Sequence, residues 1–104
     1  MNKNNLKISI NNWSIEWQRH ALEQMMERCI TRKAVKEVLK TGEIIEDYPD
    51  DKPYPSKLLF RSIQGKPLHV VAAFNTNNKV CYIITAYIPD LEHFESDYRT
   101  RRKL

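Results

Sequence analysis

The chain has 104 residues, 17 of them Lys or Arg and 13 Asp or Glu, for a formal charge of +4. That length leaves room for one domain with one core and no more, and the mild positive charge admits an anionic partner such as nucleic acid without requiring one. With two glycines a glycine-rich phosphate cradle is excluded, and apolar runs that break after about nine residues fall far short of the ~20 a membrane helix needs.

Residues 1–12 read as an N-terminal arm or short strand, since Leu6 to Ile10 alternates apolar and polar before Asn11-Asn12 ends it. Residues 13–104 read as a single domain. From Trp13 the period turns helical, and between Glu16 and Cys29 the residues Leu22, Met25, Met26 and Cys29 form the expected core stripe. His20, Glu23, Gln24 and Glu27 then lie on the opposite, polar face, with Arg28 at its flank. Thr31 is the expected N-cap of a second helix, Arg32 to Lys40, with Ala34, Val35, Val38 and Leu39 as its apolar stripe. Gly42 stands where a left-handed C-terminal cap belongs.

Four strands follow. Glu43 to Tyr48 is the first, stopped by a loop with three prolines, Pro49 to Pro55, which stiffen it. Lys57 to Ile63 is the second, and Gln64-Gly65-Lys66 turns it into a hairpin of Pro67–Asn75 and Val80–Ile88. Asn77-Asn78 is the expected turn, because Asn tolerates positive φ. Both hairpin runs are apolar at nearly every position, the pattern of central strands covered on both faces. The tail carries Leu91, Phe94 and Tyr98 at helix-like spacing and ends in Arg99, Arg101, Arg102 and Lys103. The order predicts an α+β domain, two N-terminal helices packed on one side of an antiparallel sheet of about four strands.

Cys29 and Cys81 are the two cysteines. With no secretory leader evident, they read as two buried, reduced thiols of a cytoplasmic protein. There is no metal-spaced cysteine pair and no His-Glu-x-x-His run, and His20, His69 and His93 sit on three separate elements. No cofactor and no metal is expected.

Six blocks carry a resemblance over about Trp13 to Arg101. They are His20-Ala21; Met25-x-Glu27-Arg28-x-Ile30-Thr31; Gly42 to Pro49; Pro53-Tyr54-Pro55-Ser56; Gly65-x-Pro67-Leu68-His69-Val70-Val71; and Ile84-Thr85-Ala86-Tyr87-x-Pro89-Asp90. In this order they resemble a family of small bacterial proteins grouped with the BrnT and RelE type toxins of toxin–antitoxin systems. The chain departs from that pattern in having Cys29 where Gly is common and Phe94 where Trp is common. The resemblance implies a RelE-like fold with a curved antiparallel sheet, a ribonuclease toxin acting on mRNA, and a cognate antitoxin that neutralises it.

Metal-free RNA cleavage needs a group to take the 2′-OH proton, positive charge on the phosphorane and a donor for the leaving oxygen. The candidates for catalysis are His69, Tyr87 and His20. For RNA binding they are Arg28, Arg61, Tyr48, Tyr54, Arg99 and Arg101. Each has a bland alternative. His69 falls on the strand face shared with Val71 and Ala73 and reads equally as a satisfied core histidine. Tyr87 reads as a strand-end aromatic or as a stacking platform and proton donor. Arg61, on a face with Leu59 and Ile63, either snorkels to solvent or meets an anion. His20, on the polar helix face, is also an ordinary solvated residue, and the basic end is also a solvated tail. A non-catalytic nucleic-acid- or protein-binding module of the same fold is the alternative function.

Overall fold

The computed structural model describes residues 12–103. The elements are β1 (Ser14–Trp17), α1 (Arg19–Glu27), α2 (Arg32–Thr41), β2 (Glu43–Tyr48), β3 (Ser56–Ile63), β4 (Lys66–Asn75) and β5 (Val80–Tyr87). They build one five-stranded sheet in the order β1-β5-β4-β3-β2. β2 to β5 are antiparallel neighbours, whereas β1 runs parallel to β5 with Ser14 opposite Val80 and Trp17 opposite Ile83. The α+β class and the two helices are as expected; the sheet is mixed rather than purely antiparallel and has a fifth strand. That strand was hidden because Ser14-Ile15-Glu16-Trp17 alternates exposed and half-buried, a period of two that the helical period just after it obscures. The Leu6–Ile10 strand lies outside the described residues.

Both helices cover one face. Ala21 and Met25 of α1 and Val35, Val38 and Leu39 of α2 close over Leu59, Leu68, Val70, Ala72, Phe74, Cys81, Ile83 and Ala86, which alternate onto that side of β3, β4 and β5. α2 begins as expected, with the Thr31 hydroxyl accepting from the Ala34 N–H at 3.0 Å. The stripe of α1 is rotated from its expected position. Met26 is 81% exposed and Cys29, past the helix end at φ 57°, is exposed too. The inward residues are Ala21, Leu22 and Met25 because α1 packs mainly against β5. Only Cys81 is a buried thiol; burial pushes it up to about 12. Among the described residues no helix is long and apolar enough to cross a membrane.

Three local expectations are corrected. Gly42 has φ −71°, so it is no left-handed cap; a Cβ there would lie 2.4 Å from the Val38 carbonyl oxygen and 3.1 Å from that of Phe60. Glycine is required by the tight exit of the chain past the Val38 carbonyl of α2, with β3 crowding the other side, not by φ. In the β4–β5 turn positive φ falls on Lys79, while the Asn75 side chain accepts from the Asn78 N–H at 3.3 Å and makes the turn locally. The C-terminal tail is a series of turns with a bridge between Phe94 and Arg101, not a helix, because the Asp90 and Asp97 carboxylates divert its N–H groups into local caps.

Two bulges govern the opposite face. In β2, Ile45 is the extra residue between Ile44 and Glu46, so Glu43, Glu46 and Tyr48 all fall opposite Phe60, Leu58 and Ser56, on the side away from the helices. In β5 the shift between Val71 and Ala72 puts Tyr87, Thr85 and Tyr82 on that side as well, opposite His69, Val71 and Ala73. There the Pro49–Pro55 loop lays Tyr54 on Tyr82, centroids 5.5 Å apart and nearly parallel, and the C-terminal turns cover His69. Gly42→Ala should lower unfolding free energy by about 1–3 kcal/mol, since the clash is with backbone that cannot rotate away; urea denaturation of wild type and variant measures it.

Candidate functional site

The central residue is His69 in the middle of β4. It has no solvent-accessible surface and stands in an aromatic box, edge-on to Phe94 at 4.6 Å, Tyr87 at 5.3 Å and Phe60 at 5.6 Å between centroids. Its Nε2 is 2.6 Å from the Tyr98 carbonyl oxygen, which only accepts, so Nε2 carries the proton. Nδ1 is therefore bare and accepts from the Tyr87 hydroxyl at 3.3 Å. Burial lowers the His69 pKa, an effect that the Tyr98 carbonyl and the nearby Glu46 carboxylate only partly oppose. The imidazole is thus neutral, enclosed and bonded at both nitrogens. Such a ring orients Tyr87 and holds the C-terminal segment, and it lies outside the lining of the neighbouring cavity.

Glu46 and the C-terminal arginines complete the cover. Arg101 reaches Glu46 through Nε at 2.7 Å and Nη2 at 3.2 Å and lies over the Phe94 ring; Arg99 does the same with Glu43 at 2.9 Å and with the Phe60 ring. The Tyr48 hydroxyl donates to Glu46. Burial pushes the Glu46 carboxyl up, but the hydrogen bonds from Arg101 and Tyr48 outweigh it and hold the group below the usual range. Glu46 in turn keeps Arg101 still more firmly charged. Arg102 pairs with Glu95 at 3.3 Å. The three arginines of the expected basic tail therefore form a clamp whose charges face carboxylates.

Beside this clamp is a cavity of about 420 Å³, lined by Arg28, Tyr87, Ile88, Pro89, Asp90, His93, Phe94 and Arg101. Arg28 gets there because β1 pairs with the first half of β5 only. Past that point Arg28 Nη1 donates to the Ala86 carbonyl at 2.9 Å, and the Thr85 hydroxyl donates to Gln24 Oε1 at 2.6 Å. Arg28 is thereby held across the β5 edge, with Nε and Nη2 taking no partner among the described residues. Burial raises the Tyr87 pKa against the nearby Arg101 charge, so its hydroxyl stays protonated and gives that one proton to His69 Nδ1. On the other side His93 Nδ1 is 2.8 Å from Asp90 Oδ1, and the same carboxylate accepts the N–H groups of Glu92 and His93. Those bonds hold the Asp90 carboxyl below its usual range.

Of the residues singled out from sequence, the cavity brings together Arg28, Tyr87 and Arg101, with His69 directly behind Tyr87. The others are elsewhere. His20 is exposed on α1, its Nε2 accepting from the Gln24 amide at 3.0 Å. Arg61 is exposed on β3, on the helix side. Tyr54 lines a separate cleft of about 300 Å³ with Tyr82 and Ile84. Tyr48 and Arg99 belong to the clamp. Sequence reasoning passed over Glu46, which the Ile45 bulge turns inward, and Asp90 with His93. The Asp-x-x-His spacing is a signal that could have found the second pair.

Among the described residues no three His, Cys, Asp or Glu side chains gather to hold a metal ion. The family model of DUF4258, described as a domain of unknown function, matches residues 17–88. The match takes in Arg28, His69 and Tyr87 and stops short of Asp90, His93, Phe94 and Arg101. Comparison with curated proteins and comparison with solved structures each find no match.

The buried neutral imidazole gives stability a pH dependence. The unfolded chain takes up a proton on His69 near its ordinary pKa of about 6.5, and the folded chain does so only at lower pH, so unfolding takes up a proton and stability falls as the solution is acidified. Urea midpoints should therefore drop from about pH 7 to about pH 5. His69→Gln should lose about 1–3 kcal/mol at neutral pH, because buried bonds are unmade, and should flatten that interval.

Proposed function

The chain belongs to the DUF4258 family, and we propose, from the site and not from the family, that it is an endoribonuclease of the BrnT/RelE toxin type, cleaving mRNA without a metal and neutralised by a cognate antitoxin. The observation that carries this reading is the convergence of two guanidinium groups and a protonated phenol on one cavity. A ribonucleotide is the ligand that uses all three. The planar forks of Arg28 and Arg101 suit phosphate oxygens, and the Tyr87 hydroxyl, whose proton His69 holds, offers its oxygen as acceptor to a ribose hydroxyl. The cavity volume is within the range of small-ligand sites. Two helices on one face of a five-stranded sheet are compatible with a RelE-like architecture. For the antitoxin, the apolar side chains of Ile88 and Leu91, 46% and 48% exposed beside the cavity, offer a surface that a covering partner would bury.

A second reading is favoured by the pairing of Arg99, Arg101 and Arg102 with Glu43, Glu46 and Glu95. Such pairing weakens the cationic field a processive RNA contact uses. On this reading the domain is a non-catalytic module that binds a phosphate-bearing or protein partner at the same cavity.

Incubation of purified protein with mRNA, with and without ribosomes and in the presence of EDTA, separates the two. Discrete cleavage products that persist in EDTA are expected. Tyr87→Phe should reduce the cleavage rate by about tenfold or more while keeping the ring in place. Intact RNA under every condition, with binding retained, rejects the nuclease in favour of the module.

A further inference from the structure

The cavity contains a histidine that, unlike His69, has a nitrogen to offer. His93 is 65% exposed along its side chain, lines the cavity, and is tied at Nδ1 to the Asp90 carboxylate at 2.8 Å. A carboxylate only accepts, so Nδ1 carries the proton of the neutral ring and Nε2 is left as the basic nitrogen. Nε2 takes no partner among the described residues. Asp90 is itself held by the N–H groups of residues 92 and 93, so carboxylate, imidazole and chain turn form one oriented unit, the base-and-orienter arrangement of acid–base catalysis.

We infer that His93, positioned by Asp90, is the catalytic base of this site, and that His69 serves as a positioning residue for Tyr87. This rests on the ribonuclease reading. The step it assigns is internal transesterification. Nε2 of His93 removes the proton of a ribose 2′-OH, and the 2′-oxygen forms a bond to the adjacent phosphorus. The bond from phosphorus to the 5′-oxygen breaks, and that oxygen leaves with a proton taken from water. The imidazolium returns its proton to the hydroxide so formed. The products are a 2′,3′-cyclic phosphate and a 5′-hydroxyl, with no net change in protons. Arg28 and Arg101 face the phosphate. The charged and titratable groups around the imidazole are Asp90 on its own turn, Arg28 from α1, Tyr87 from β5 and Arg101 from the chain end.

The test uses an oligonucleotide with one ribonucleotide among deoxynucleotides, and its all-deoxy analogue as a binding probe. His93→Gln is expected to lower kcat by about a hundredfold or more and to leave KM, binding of the analogue and Tm near wild type, since the side chain is exposed. The fall in wild-type rate on acidification should be absent from the variant. Asp90→Asn, which keeps an acceptor for the two N–H groups, should retain the fold and lose about tenfold in kcat. Wild-type cleavage to a cyclic phosphate with His93→Gln equally active at every pH overturns this inference and leaves the nuclease standing. Binding of the probe with no cleavage by wild type overturns both.

Discussion

An imidazole sealed under the C-terminal turns is the constraint from which the geometry of one entire sheet face follows. The His69 N–H to Tyr98 carbonyl bond, at 2.6 Å, is made where no water competes. Unmaking it leaves a buried donor and a buried acceptor unsatisfied. The segment so anchored brings Phe94 down on the ring and places Arg99 and Arg101 over Glu43 and Glu46. With the cover in place Tyr87 is fixed from behind, and the space in front of it is bounded by Arg28 on one side and the Asp90–His93 turn on the other. Without it, the same strands would present an open, partly apolar surface and no cavity.

The electrostatics follow from this packing more than from net charge. A formal excess of four positive charges suggests a cationic surface, yet three arginines near the chain end are spent on carboxylates. These pairs are partly exposed, so each contributes little to stability alone. Their effect is on shape, and on keeping the Arg101 guanidinium in register with the cavity. Arg28 differs, because its one bond is to a backbone carbonyl and its charge is not cancelled. The local field is therefore set mainly by an arginine that a strand edge holds, and an anion entering the cavity competes with Glu46 for the other.

Much of the scaffold could be read from residue order. The Thr31 cap, the apolar spacing of α2, the three-proline stop after Tyr48 and the β4–β5 hairpin are local signals, and they give elements at the expected places. Positions that depend on two elements meeting were misread. Met26 and Cys29 fit a helical stripe as well as Ala21 does, and only the seat of α1 on β5 selects among them. Gly42 fits a left-handed cap until the exit of the chain from α2 toward β3 is known to bring it against the Val38 and Phe60 carbonyls. The site was legible in part: His69, Tyr87 and Arg28 were named from sequence. Glu46 was not, since a strand of strict period two puts it on the face opposite Glu43.

What the amino-acid order determined by itself was the kind of every element but β1 and the chemistry available, because caps, turns and hydrophobic period act within a few residues of one another. Tertiary structure alone decided which side chains share a site. Two bulges, at Ile45 and near Ile84, reverse the alternation of their strands and bring Glu46 and Tyr87 to the side of His69. A bulge is chosen by the fit of one strand to its neighbour, and nothing within either strand records it. The closing of the chain end over the imidazole is of the same kind, for Tyr98 contributes its backbone carbonyl, a group every residue carries and no sequence pattern can mark.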